Sequence, residues 1–162
     1  MSLDTTTPTL LATLLQQEQD LQFLTFDSTL ALDLGLLLIK NAIHPVVISI
    51  TLNNQLLFHY AMPGTAPIDA EAVRRKADVV EKFWHSSYYV GQLPTQAAPI
   101  AISSLEESHY TGGAFPLIVK GIGVVGSIVA SRLTGNSEDH ELVVSSLKEF
   151  LGMEKEGKNK VE

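Results

Sequence analysis

The sequence predicts an α/β (α+β) domain: an α/β/α layered arrangement with a mostly antiparallel five-stranded sheet and helices on both faces. Three observations carry this. Two pairs of strand-like runs are joined by short turn signals, and hairpins impose antiparallel pairing. Stretches of helical period stand before, between and after those pairs. The 162 residues are 45% hydrophobic and 18% charged, which suits one packed core and argues against disorder. A single domain over residues 1–152 with a polar tail at 153–162 is expected.

The elements follow in order. Pro8 opens a first helix that runs through Leu10, Leu11, Leu14 and Leu15 to about Asp20, since proline is tolerated in a first turn. "LQFLTF" reads as a short strand. Asp27 or Ser28 caps a second helix that continues to about Ile43. That helix is apolar nearly all round, with Thr29, Asp33, Lys40 and His44 as its one polar stripe. Such a helix is buried in a core or in an interface between subunits. "VVISITL" and "QLLFHYA" flank Asn53 and Asn54, and asparagine tolerates the positive φ of a tight hairpin turn. Asp69 caps a third helix over 70–84. "QLPTQAAP" is irregular. "FPLIVKG" and "VVGSIVASRL" form a second hairpin. Asn136 or Ser137 caps a last helix ending near Leu151, with Glu138 and Asp139 favourably placed against its dipole.

Composition excludes several functions. The net charge of −7 offers no basic field for nucleic acid or an anionic membrane surface, and Arg74, Arg75 and Lys76 are the only basic cluster. No cysteine is present, so disulfides, thiolate metal ligands and a cysteine nucleophile are excluded, and a cytoplasmic location is expected. The start "MSLDTTTPTLLATLL" has no basic segment of the kind that opens a signal peptide. "LALDLGLLLI" is short and carries Asp33, which argues against a membrane span. "GIGVVG" matches G-x-G-x-x-G, yet a strand-like run follows it where a dinucleotide site needs a helix, so its glycines make a turn and a bend. His44, His59, His85, His109 and His140 show no ligand spacing, and no metal site is expected.

The third helix holds the sharpest clue. At 100° per residue Ala72, Val73, Ala77, Val79, Val80, Phe83 and Trp84 share one apolar arc, and Lys76 projects from its middle. A buried ammonium is costly unless paired, so Lys76 either snorkels to the surface or finds a partner. Asp139 points to the apolar face of the last helix, and Lys76 and Asp139 are expected to approach each other, directly or across a ligand. Gly112 and Gly113 precede a strand and form either a plain turn or a nest of N–H donors. In "WHSSYYVG" His85 and Ser86 are adjacent on a helix. Their side chains diverge by about 100°, a poor arrangement for base and nucleophile. Ser86 and Ser87 instead end the third helix and start a short turn containing Tyr88 and Tyr89.

Taken together, "RRKADVVEKFWHSSYYVG", "HYTGGAFPLIVKGIGVVGSIVASRL" and "EDHELVVSSLKEFL" resemble uncharacterised protein family 0303, within the heme-degrading-domain (GlcG and HbpS-like) superfamily. The resemblance spans the chain from the second helix to the last. It implies the layered five-stranded domain, a homo-oligomer and a small-molecule or tetrapyrrole ligand, with heme as a possible cofactor. Thr111 stands where many members carry histidine or serine.

The first functional expectation is a non-catalytic binding module. Its pocket would lie between the third helix, the Gly112-Gly113 turn and the start of the last helix. Lys76 and Gly113 would draw an acidic group of the ligand. Gly112, His85, Asp139 and His140 would complete the polar set, with Trp84 or Tyr88 as an apolar wall. The alternatives are an enzyme using His85, Ser86 or His140 in acid–base roles, and a scaffold oligomer joined through the second helix.

Overall fold

Asn53 and Asn54 take φ of 50° and 66°, the left-handed pair that a two-residue hairpin turn demands. They join β1 (Val47–Leu52) to β2 (Gln55–Ala61). The second hairpin, β3 (Ala114–Val119) and β4 (Gly123–Ser131), turns through Gly121 at φ 83°. "GIGVVG" is therefore a hairpin turn and the start of a strand. The computed structural model describes residues 6–94 and 110–160; residues 95–99 of the irregular stretch lie outside the described residues. β1 pairs antiparallel with both β2 and β4, and β3 with β4, giving the order β2-β1-β4-β3.

The expected fifth strand is reduced to one residue. Phe23 forms a single parallel bridge to Val119, donating its N–H to Ile118 O at 2.8 Å and accepting from Lys120 N–H at 2.8 Å. Leu21 and Phe23 are buried in strand alternation. The chain cannot extend the strand, because Asp27 caps a helix only four positions further on and accepts from Leu30 N–H at 2.9 Å.

The helices are α1 (Thr6–Asp20), α2 (Ser28–Asn41), α3 (Pro67–Phe83), α4 (Ser87–Gln92) and α5 (Ser137–Lys160). Alternate strand residues serve opposite faces. Ile48, Ile50, Phe115, Leu117, Ile128 and Ala130 pack with Leu34 and Leu38 of α2 and Val143, Val144 and Leu147 of α5. Val47, Ala114 and Val129 face Val73 and Val80 of α3. Helices thus cover both faces, around a four-stranded sheet. Phe58 of β2 lies so close to Gly35 of α2 that a Cβ there would come within 2.5 Å of its ring.

Five helix ends differ from expectation. α1 starts at Thr6, ahead of Pro8, and α3 ends at Phe83, so His85 and Ser86 stand in the junction before α4 and not side by side on a helix. α3 starts at Pro67, and Asp69 sits in its first turn, accepting from Ala66 N–H at 2.8 Å and Leu133 N–H at 2.9 Å. Proline at the first helical position moves the start forward, where its missing N–H costs nothing. α2 stops at Asn41, so His44 is off the helix. α5 continues past Leu151 to Lys160. Gly152 alone costs a helix about 1 kcal/mol against alanine, and Glu and Lys, which are good helix formers, dominate the turns beyond it.

Candidate functional site

Lys76 is 0% exposed. Its ammonium does not snorkel. It donates to Ser131 Oγ at 2.6 Å and to the carbonyls of Gly112, Arg132 and Gly135 at 3.1, 3.2 and 3.2 Å. Three N–H protons meet four protein acceptors, so the group is fully engaged. Ser131 in turn donates to Asp139 Oδ2 at 2.8 Å. Lys76 and Asp139 therefore approach through a shared serine. Burial lowers the Lys76 pKa to about 8, against the attraction of Asp139. Burial also raises that of Asp139, against its bond from Ser131 and the charge of Lys76. Both groups are pushed toward neutrality because desolvation outweighs their attraction.

The glycine turn belongs to the same cluster. Gly112 N–H donates to Asn136 Oδ1 at 3.1 Å, so that donor is already used. Gly113 has φ 132°, and a Cβ there would meet the Ser131 side chain at 2.6 Å. Only glycine lets β3 begin this close to Ser131. Ser87 of α4 ties the turn down, donating to Thr111 O at 2.7 Å and accepting from Ala114 N–H at 3.2 Å.

His140 lies beside this knot and is 1% exposed. Its Nε2 is 2.8 Å from Gln17 Oε1, so Nε2 carries the proton and donates. Nδ1 is buried without a hydrogen-bond partner. The Tyr88 ring centre is 5.0 Å from the imidazole and that of Phe115 is 6.2 Å away. Burial drives the His140 pKa down to about 4, so the ring is neutral at pH 7.

His85 is placed differently. Its Nδ1 lies 3.1 Å from both carboxylate oxygens of Glu18, a buried residue of α1. That bond raises the His85 pKa, partly opposed by burial. Tyr89 packs against the ring with centres 4.6 Å apart. Nδ1 is thus committed, and the ring, whose side chain is 41% exposed, keeps Nε2 as its second donor or ligand atom. Ser86 is buried, and its hydroxyl caps α4 by accepting from Tyr89 N–H at 3.1 Å. His85, Ser86 and His140 therefore take separate partners: Glu18, a backbone N–H and Gln17.

Trp84 is not brought to the Lys76 cluster. It ends α3 in the left-handed conformation, φ 60° and ψ 23°, and is 68% exposed. It stands at a groove of about 600 Å³ between α3 and the sheet, which Arg74, Asp78, Glu81, Ser49, Thr51 and His59 also line. Lys76, Gly112, Gly113, Asp139 and His140 thus gather at one place, with Tyr88 against His140. His85 pairs with α1, and Trp84 faces the groove. The sequence reading missed Glu18, Gln17 and Ser131. Their partners are distant in the chain, and "LLQQEQD" carries no local sign that two of its residues meet histidines.

A family model described as haem-degrading protein HbpS-like matches residues 26–148. A UPF0303 protein of Serratia proteamaculans is 42% identical over 154 residues, covering 88% of this chain and 92% of its own. The crystal structure of Ybr137w protein is similar with a TM-score of 0.75 and 25% identity, over 89% of this chain and 88% of that one. A structure described as a PduOC:heme complex shares the fold, with a TM-score of 0.63 and 18% identity over 76% and 94% of the two chains.

Proposed function

The chain belongs to the UPF0303 proteins of the HbpS-like family, and on that premise we propose a non-catalytic binding module for a haem-like tetrapyrrole, with His85 as the metal ligand. The single observation that carries this is the His85–Glu18 pair. Histidines that ligate metals almost always give their other ring N–H to a carboxylate or carbonyl, which fixes the tautomer and strengthens the ligand. Glu18 does this for His85, leaving Nε2 as the ligating atom. One such imidazole suffices for haem, because the porphyrin supplies the remaining in-plane nitrogens. The tetrapyrrole bound by a protein of the same fold, and the haem-degrading description of the family model, favour haem over other planar ligands.

Within this reading the residues divide by role. His85 holds the metal and Glu18 orients His85. Tyr89, packed on the imidazole, limits its rotation. Tyr88 packs on His140 and Trp84 faces the groove beside α3, so neither is assigned to the ligand's surroundings. Lys76, Gly112, Gly113, Asp139 and His140 hold the frame that positions α3 and α4. Bound haem would supply an iron centre for one-electron exchange or for holding a small diatomic ligand.

The test is titration of the purified protein with hemin, read by the Soret band. Saturable binding with a histidine-ligated spectrum is expected. His85→Ala should abolish that signature, and Glu18→Gln should weaken binding by about 10–100-fold, as loss of an outer-shell partner does. No spectral change with hemin, or a His85→Ala spectrum equal to wild type, overturns the assignment.

A further inference from the structure

The face of the sheet under α3 changes character along β1. Val47 packs with Val73 and Val80 of α3. Strand alternation turns Ser49 and Thr51 to the same side, and Thr51 stands opposite Ser127 of β4 in the ladder. The floor thus passes from valine to hydroxyl, and over the hydroxyls lies the groove of about 600 Å³. Small-molecule sites span about 300–1,000 Å³. Ser127 lines the groove while only 6% exposed. Among the described residues its hydroxyl has no hydrogen-bond partner, and those of Ser49 and Thr51 have none either. Buried polar side chains are nearly always hydrogen-bonded, so an unused hydroxyl at that depth is the signature of a ligand site.

The wall above this floor comes from α3. Arg74, Asp78 and Glu81 follow one another a helical turn apart, so they share the flank that borders the groove. All three are exposed, and among the described residues none of them forms an ion pair. Just past the end of the helix Trp84 presents its indole at the rim. It does so from the left-handed backbone region, which a side chain resists. Strain of this kind gathers at ligand sites.

The mixture of groups selects the ligand. An anion drawn to Arg74 would meet two carboxylates. A cation drawn to Asp78 and Glu81 would meet the guanidinium. A neutral ring bearing several hydroxyls uses every group: the carboxylates accept, the guanidinium donates, and serine and threonine do either. The C–H face of such a ring is apolar and suits the indole. We propose that the groove between α3 and the sheet binds a sugar, with the apolar face of the ring on Trp84 and its hydroxyls held by Asp78, Glu81, Arg74 and Ser127. This inference does not rest on the haem reading, since His85 is not among the residues that line the groove.

Trp84 is the one tryptophan of the chain, so its fluorescence reports on this groove alone. The experiment is titration of the full chain with glucose, galactose, mannose and N-acetylglucosamine, with agmatine as an organic cation and citrate as an organic anion. A saturable change with at least one sugar is expected, and none with agmatine or citrate. Calorimetry then compares variants with the sugar that binds. Asp78→Asn should weaken it by about 10–100-fold, through loss of a hydrogen bond to a charged group, and Ser127→Ala by about 2–10-fold, through loss of a neutral one. Asp78 is exposed, so its variant should keep the fold, as circular dichroism will show. No saturable change with any of the four sugars, a response to agmatine or citrate alone, or an Asp78→Asn variant that binds the sugar like the wild type overturns the proposal.

Discussion

His140 holds a neutral imidazole where water cannot reach it, and this links its protonation to stability. Its pKa is about 4 in the fold against 6.5 in the unfolded chain. Between those values the unfolded state binds more protons, so stability falls as pH drops from about 6.5 toward about 4. The shift corresponds to about 3 kcal/mol. Thermal unfolding followed across that window should show the loss, and His140→Phe should flatten it. A variant with the wild-type pH profile would mean that His140 is not the linked group. His85 works in the opposite sense. Its pKa is raised, chiefly by the bond to Glu18. Its contribution is complete below the unfolded value and fades as pH rises through the folded one.

At the scale of elements, the end of α3 is the least comfortable place in the chain. A residue with a Cβ in the left-handed region costs about 1–2 kcal/mol, and Trp84 adopts it while 68% exposed. Trp84→Gly should therefore stabilise the isolated chain by about 1 kcal/mol, measured by urea unfolding. A loss of stability instead would show that the indole packs on something that repays the strain. Elements also show what the sequence could reveal. Asn53-Asn54 announced its hairpin because positive φ is a local property of two residues. Asp27 announced α2 for the same reason. Lys76 stood out because its arc was otherwise apolar, and the structure buries it. The single-residue bridge at Phe23 was hidden, since only the position of β3 makes Phe23 a strand. Pairings between α1 and the histidines were equally hidden. They join residues 67 and 123 positions apart, and no local pattern encodes such a distance.

At the scale of the whole molecule, Lys76 ties α3 to the Gly112 turn, the end of β4 and the start of α5. Lys76→Met should destabilise the protein by about 3–5 kcal/mol, because Asp139 stays buried without its cation. The four acceptors lie 36, 55, 56 and 59 positions along the chain from Lys76. Contacts of that separation must wait until the loops between them have closed. An ammonium ion keeps its water until the carbonyls that replace that water are all in position. The knot at Lys76 is therefore expected to form after the folding transition state. Stopped-flow measurements on Lys76→Met should find the refolding rate little changed and the unfolding rate greatly increased. The buried lysine then acts as a brake on opening: it sets how long a folded molecule survives more than how quickly one forms.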